Sequence, residues 1–160
     1  MKNALLLTVF AVSLGLAHPA STQVTQIPAI DFGPLESLTI VSNDTSHVFS
    51  IEVADTQPEL SRGMMYREDI PVNEGMLFEF GEEKVTSIWM KNTSVSLDVI
   101  FVRADGSILK IEHSAKPFSL RSMTSEAPVT AVLEIAGGQA NVLGIRPGDI
   151  LQHSYFTKAP

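Results

Sequence analysis

The stretch Thr86–Val102 sets the terms for everything around it. It holds the only Trp of the chain, Trp89, followed by a cation and an amide, Lys91 and Asn92. It closes in an apolar run, Val99-Ile-Phe-Val102, with a carboxylate, Asp98, at the entrance. A carboxylate beside that much apolar bulk needs a partner if it is buried. The cations in neighbouring motifs are Arg62, Arg67 and Lys91, and an Arg satisfies both carboxylate oxygens at once.

The 160 residues suffice for one domain with a sizeable core. The start reads differently from the rest. Met1-Lys-Asn is short and basic, Ala4–Leu16 is an almost unbroken apolar run, and Gly15-Leu-Ala17 supplies small residues for a peptidase. This is the pattern of a secretory signal peptide, and the run is short for a membrane span. The expected organisation is a signal peptide over 1–20, a flexible Pro-punctuated lead-in over 21–35 and a single β domain over 36–160. The expected location is periplasmic or extracellular. With no Cys in the chain, disulfides, thiol nucleophiles and zinc–thiolate sites are excluded, and so is a lipid-anchored lipoprotein. A net charge of −7 argues against nucleic acid and anionic membrane as partners. A monomer is expected.

The domain reads as short strands separated by turn chemistry. Phe49, Ile51 and Val53 alternate with Ser50 and Glu52, and Asn43-Asp44 suits a hairpin turn between Leu35–Val41 and His47–Ala54. Thr56, Pro58 and Glu59 mark a helix start with a capping box, ended by Gly63. Strands are expected over Gly75–Phe80, Ile88–Met90, Leu97–Arg103, Val129–Ala136 and Ile150–Phe156. Gly81–Lys84 reads as a charged turn, and Ala115–Pro128 as loop. Asp105-Gly106 predicts a type I′ hairpin into Ser107–Glu112, itself an edge strand or one with part of both faces covered. A helical turn is expected at Ala140–Leu143, and a tight turn at Arg146–Asp149. The fold class is all-β: a compact β-sandwich or partly closed barrel of about eight short strands with one or two short helices.

Four blocks carry a resemblance. They are Arg62-Gly-Met-Met-Tyr-Arg67, Gly75-Met-Leu-Phe78, Ile88-Trp-Met-Lys-Asn-Thr93 through Leu97-Asp-Val-Ile-Phe101, and Val132-Leu-Glu134 with Gly148-Asp149. Together they resemble the bacterial and archaeal family called domain of unknown function 192, over roughly Leu38 to Phe156. Where that family commonly has Gly-Leu-Met, this chain has Gly63-Met-Met65. The resemblance implies a compact β-sandwich-like domain and no particular reaction.

Two functional classes follow. The first is an exported binding or accessory module for a small polar or anionic ligand, or an envelope partner. Its candidate site residues are Arg62, Met65, Arg67, Trp89, Lys91, Asn92, Thr93, Asp98 and Glu134. Arg suits capture of a carboxylate or phosphate, and Trp and Met suit an apolar pocket, together with Met76, Phe78 and Met90. The second class is an envelope hydrolase using Asp98 and Glu134, which requires the two carboxyls to share a cleft. The structural alternative pairs one Arg with Asp98 and the other with Glu134 or a backbone carbonyl. His47, His113 and His153 lack metal-ligand spacing, so neither metal nor cofactor is expected.

Overall fold

The computed structural model of the chain describes residues 29–157. The expected signal peptide, the first part of the lead-in and the last three residues lie outside them. Nine strands and three short helices follow in order: β1 Glu36–Ser42, β2 Thr45–Ala54, α1 Gln57–Arg62, β3 Glu74–Lys84, β4 Ser87–Ile88, β5 Leu97–Val102, β6 Ile108–Ala115, β7 Met123–Thr124, β8 Val129–Ala136, α2 Gln139–Leu143, β9 Ile150–Gln152 and α3 Ser154–Thr157.

Seven strands form one sheet in the order β6-β5-β8-β3-β2-β1-β9. All its pairings are antiparallel except β2 with β3, which the α1 crossover joins in parallel. The sheet curls until its two edges meet. Ile108 N–H donates to the Asp149 carbonyl at 2.8 Å, Gly148 N–H to the Ile108 carbonyl at 2.9 Å, and Leu151 N–H to the Gly106 carbonyl at 2.8 Å. These bonds join the start of β6 to the approach of β9, giving a partly closed barrel. Gly106 is required there: its φ is +79°, and a Cβ would meet the Leu151 carbonyl oxygen at 2.6 Å.

Strand alternation divides the core in two. Leu38, Ile40, Phe49, Ile51, Leu77, Ile100, Leu133 and Leu151 fill one cluster, which every strand from β1 to β9 within the main sheet faces. Met64, Met76, Phe78, Met90, Val99, Phe101 and Val132 form the second, on the other face of β2, β3, β5 and β8. Every residue of β5 and all but the last of β8 are therefore buried, which is why apolar residues stand on both faces there instead of alternating with exposed polar ones. Each fully buried Leu, Ile or Phe contributes about 1.5–3 kcal/mol, so this core suffices without disulfides.

Local expectations hold where local chemistry decides. The β1–β2 hairpin turns on Asn43 and Asp44, both at positive φ, with Ser42 opposite Thr45. Glu59 caps α1, accepting from Thr56 N–H at 2.9 Å, and that hydrogen bond holds its carboxyl below the usual range. β6 is the terminal strand of the sheet.

Four expectations need correction. The Asp105-Gly106 hairpin forms, but Gly106 N–H closes a turn on the Arg103 carbonyl at 3.0 Å and Arg103 N–H bonds the Ser107 carbonyl, so three residues loop. Only Gly106 takes positive φ there, hence no type I′ turn, which needs two. Gly81–Lys84 belongs to β3, because a register shift after Glu79 lets Lys84 pair with Val129. The Ala115–Pro128 segment contains β7, which pairs with β4 as a separate two-stranded sheet. Ile150–Phe156 is a strand only to Gln152; the chain then turns into α3, placing Tyr155 and Phe156 against the barrel core.

Candidate functional site

Asp98 is fully buried, and among the described residues no cation holds it. Its Oδ1 accepts from Ser114 N–H at 2.7 Å and Gly138 N–H at 2.9 Å, and its Oδ2 from Ala140 N–H at 2.8 Å. The carboxylate thus caps α2 from a strand some forty residues away and fixes the end of β6, where Ser114 has φ +48°. Expected Arg partners are replaced by backbone amides, the other group able to satisfy a buried carboxylate. With both oxygens occupied and no surface exposed, Asp98 is an anchor of the fold; it lines neither of the clefts described below.

Glu134 is the opposite case. On β8 it sits opposite Met76 of β3 and Val99 of β5; beyond these, in the same row, stand Glu52 of β2 and Glu112 of β6. The outer two carboxylates are paired. Glu52 takes Arg67, while Glu112 takes Lys110 and Arg121 at 3.2 and 3.0 Å. Glu134 is 4 % exposed, and among the described residues no donor is within hydrogen-bonding reach of its carboxyl. Burial pushes that carboxyl up to about 8, with the nearby Arg67 guanidinium pulling weakly the other way. At neutral pH it is an acid carrying its proton, and so a hydrogen-bond donor.

This acid lines a cleft with about 120 Å³ of room. One wall is the end of α1 and the segment after it, Leu60–Met65. The other is Ser87–Trp89 with Thr93, and Phe78 lies between. Gly63, at φ +47°, lets the first wall turn against Phe78; a Cβ there would come within 2.9 Å of the ring. A second concavity of about 250 Å³ adjoins it, sharing Arg62, Gly63 and Met65 and bounded by Ala29, Ile30 and Phe32. The end of the expected lead-in is thus docked on the domain, with Arg67 over the Phe32 ring at 5.7 Å.

The sequence-predicted residues divide accordingly. Arg62, Met65, Trp89, Thr93 and Glu134 line the first cleft, and Arg67 the second. Arg62 stacks on Tyr66 at 4.7 Å and Lys91 on Trp89 at 5.4 Å. Neither meets a carboxylate among the described residues. Asn92, at φ +56°, bridges the walls: its Nδ2 donates to Tyr66 Oη at 2.9 Å, and its carbonyl accepts from Tyr66 N–H. Met76 and Met90 are core. Met64 and Gly63 at the cleft were missed as lining residues, although both stand in the Arg62–Arg67 motif. Asp98 and Glu134 do not share a cleft. Asp98 pairs with Ile135 and Glu134 with Val99, so the two side chains leave opposite faces of the sheet. Among the described residues no cluster of three or more His, Asp or Glu side chains is placed to hold a metal ion.

A structure from Sinorhizobium meliloti, provisionally described as a transcription regulator, is 33% identical, with a TM-score of 0.77, covering 80% of this chain and 99% of its own. A protein of unknown function from Novosphingobium aromaticivorans is 34% identical, with a TM-score of 0.73, covering 86% of this chain and 94% of its own. No curated protein matches. The model of the family described as uncharacterized ACR, domain of unknown function 192, matches residues 39–153, and the chain belongs to that family.

Proposed function

We propose that the chain is an exported binding module whose cleft between the Leu60–Met65 and Ser87–Thr93 walls takes a small ligand with an apolar body and an anionic or polar head. The observation that carries this reading is Glu134, a buried acid that has no hydrogen-bond partner among the described residues and lines a cleft of mixed polar and apolar walls. A protonated carboxyl on the cleft lining is a donor that a ligand acceptor can take up. Met64, Met65, Phe78 and Trp89 favour an apolar body. Arg62, without a carboxylate partner among the described residues, favours an anionic head. Export rests on the basic, apolar and small residues of Met1–Ala17. A two-carboxylate hydrolase has no support, since its second carboxylate is bonded to three amides on the other face.

Trp89 is the only Trp, stands at the cleft and is 53% exposed, so its fluorescence reports on occupancy. Hexanoate, benzoate and inorganic phosphate are suitable probes. The reading expects saturable quenching by the carboxylates that weakens as pH rises through about 8, where Glu134 loses its proton. It expects Glu134→Gln to bind with a flat pH profile. No saturable response to any of the three probes would sink it.

A further inference from the structure

Backbone hydrogen bonds tie two loops, at Tyr66 and at Phe118–Ser119, to a third, the segment Trp89–Thr93. Met90 N–H donates to the Ser119 carbonyl at 3.0 Å, Phe118 N–H to the Thr93 carbonyl at 3.0 Å, and Tyr66 N–H to the Asn92 carbonyl at 2.9 Å. Each loop brings a large apolar side chain into solvent: Trp89 53%, Phe118 63%, Leu120 69% and Tyr66 47% exposed. The other exposed large hydrophobics, such as Val48, Val72 and Val142, stand on elements elsewhere along the chain. Phe118 is held out at φ +58°, a conformation uncommon for a bulky residue.

The charge of this loop cluster is contrary to that of the whole. Lys91 and Lys116 are exposed here, and Arg62 lies beside Tyr66; none of the three has a carboxylate within salt-bridge distance among the described residues. Arg121 follows Leu120 and is engaged with Glu112, whose charge Lys110 also balances. Carboxylates stand near these cations along the chain, Glu59 before Arg62, the exposed Glu68 and Asp69 after Arg67, and Glu112 before Lys116, but among the described residues none of them is ion-paired with Arg62, Lys91 or Lys116. Unpaired cations beside exposed aromatic and aliphatic tips, on a protein of net charge −7, form a local surface that the overall charge does not describe.

We infer that this loop cluster docks on an anionic lipid surface, with Trp89, Phe118 and Leu120 entering the headgroup layer and Lys91, Lys116 and Arg62 facing the lipid phosphates. The chemistry is matched on both counts. Trp and Tyr favour the layer where a ring is half wet, and Phe and Leu the acyl boundary beneath it. Each Lys or Arg near an anionic surface adds attraction that falls off within a Debye length. Because the same segment lines the Glu134 cleft, the cleft would open toward the bilayer side.

The single Trp makes the test site-specific. The full chain is mixed with phosphatidylcholine vesicles with and without phosphatidylglycerol, and Trp89 emission is followed, with brominated lipid as quencher. The expected result is a blue shift and quenching on phosphatidylglycerol vesicles only, reversed by salt. Lys91→Glu combined with Lys116→Glu should weaken binding at least about tenfold. Phe118→Asn, a substitution that tolerates positive φ, should weaken it as well when combined with Leu120→Ser. Circular dichroism melts of these surface variants establish that they fold. Co-sedimentation with unchanged Trp89 emission would overturn the inference, since the apolar run Ala4–Leu16 would then be the contact. Equal binding to neutral vesicles would overturn it too. So would a concentration-dependent dimer in light scattering that the Phe118→Asn, Leu120→Ser variant abolishes, which would assign the face to a second copy of the chain.

Discussion

Replacing Asp98 by Ala removes three acceptor contacts at once. Ser114, Gly138 and Ala140 would keep their N–H groups in place, aimed at a small void that the 0% exposure of the site closes to solvent. A buried donor left unsatisfied costs about 1–3 kcal/mol. Removing the charged member of a buried, fully bonded group costs about 3–5 kcal/mol in total, and three donors at the lower end of the first range agree with that. For a domain of this size the loss corresponds to a fall of roughly 10–20 °C in Tm. Asp98→Asn separates charge from shape. Its oxygen can serve Ser114 and Gly138, while its amide nitrogen then faces the Ala140 N–H, donor against donor. The Asn variant should lie between wild type and Ala. Thermal unfolding by circular dichroism measures both. An Ala variant melting within a degree or two of wild type would refute the anchoring role, and an Asn variant less stable than Ala would refute the assignment of the bonds.

Two other perturbations test the site and the barrel. Glu134 has a folded pKa raised from 4.5 to about 8, so the native state holds the proton more tightly than the unfolded chain. Stability from this group is fully present below pH 4.5 and is lost as pH rises to about 8, by a few kcal/mol in order of magnitude; Glu134→Gln should flatten that slope in urea titrations across the window, and an unchanged slope would assign it to other groups. Gly106→Ala must adopt positive φ and move the Leu151 carbonyl, so it should cost about 2–3 kcal/mol; amide exchange at Ile108, Gly148 and Leu151 should accelerate with it, and unchanged protection would show that closure does not depend on Gly106.

What the sequence revealed and what it concealed follow a physical division. Asn43-Asp44, the Thr56–Glu59 cap and the apolar runs of β5 and β8 act over a few residues, and they were legible. Asp98 was legible as a group needing a partner, but its partners are backbone amides contributed by Ser114, Gly138 and Ala140. Every residue carries an amide, so no letter marks the ones that turn toward a distant carboxylate. Asp98 and Glu134 looked like a pair because each stands in an apolar strand. Register decides otherwise: pairing Glu134 with Val99, not Asp98, sends the two carboxyls to opposite faces. In the same row Glu52 and Glu112 take Arg67, Lys110 and Arg121, while Glu134 has no salt-bridge partner among the described residues. The motif Arg62–Arg67 located one wall of the cleft; that Met64 and Gly63 line it depends on how the chain leaves α1.

The bonds between residues 106–108 and 148–151 also set a schedule for the growing chain. β1 waits for β9 on its outer side, and β6 waits for the same segment, so two strand edges stay unpaired until almost the last residue of the domain is available. Contacts between the beginning and end of a chain carry the largest loop-closure cost and slow folding. A ribosome-bound or partly emerged chain would therefore hold most of its hydrophobic segments with no closed barrel to put them in. Unpaired edges of that kind invite pairing with other chains. Truncation before Ile150 should for that reason yield aggregate rather than a smaller stable fold.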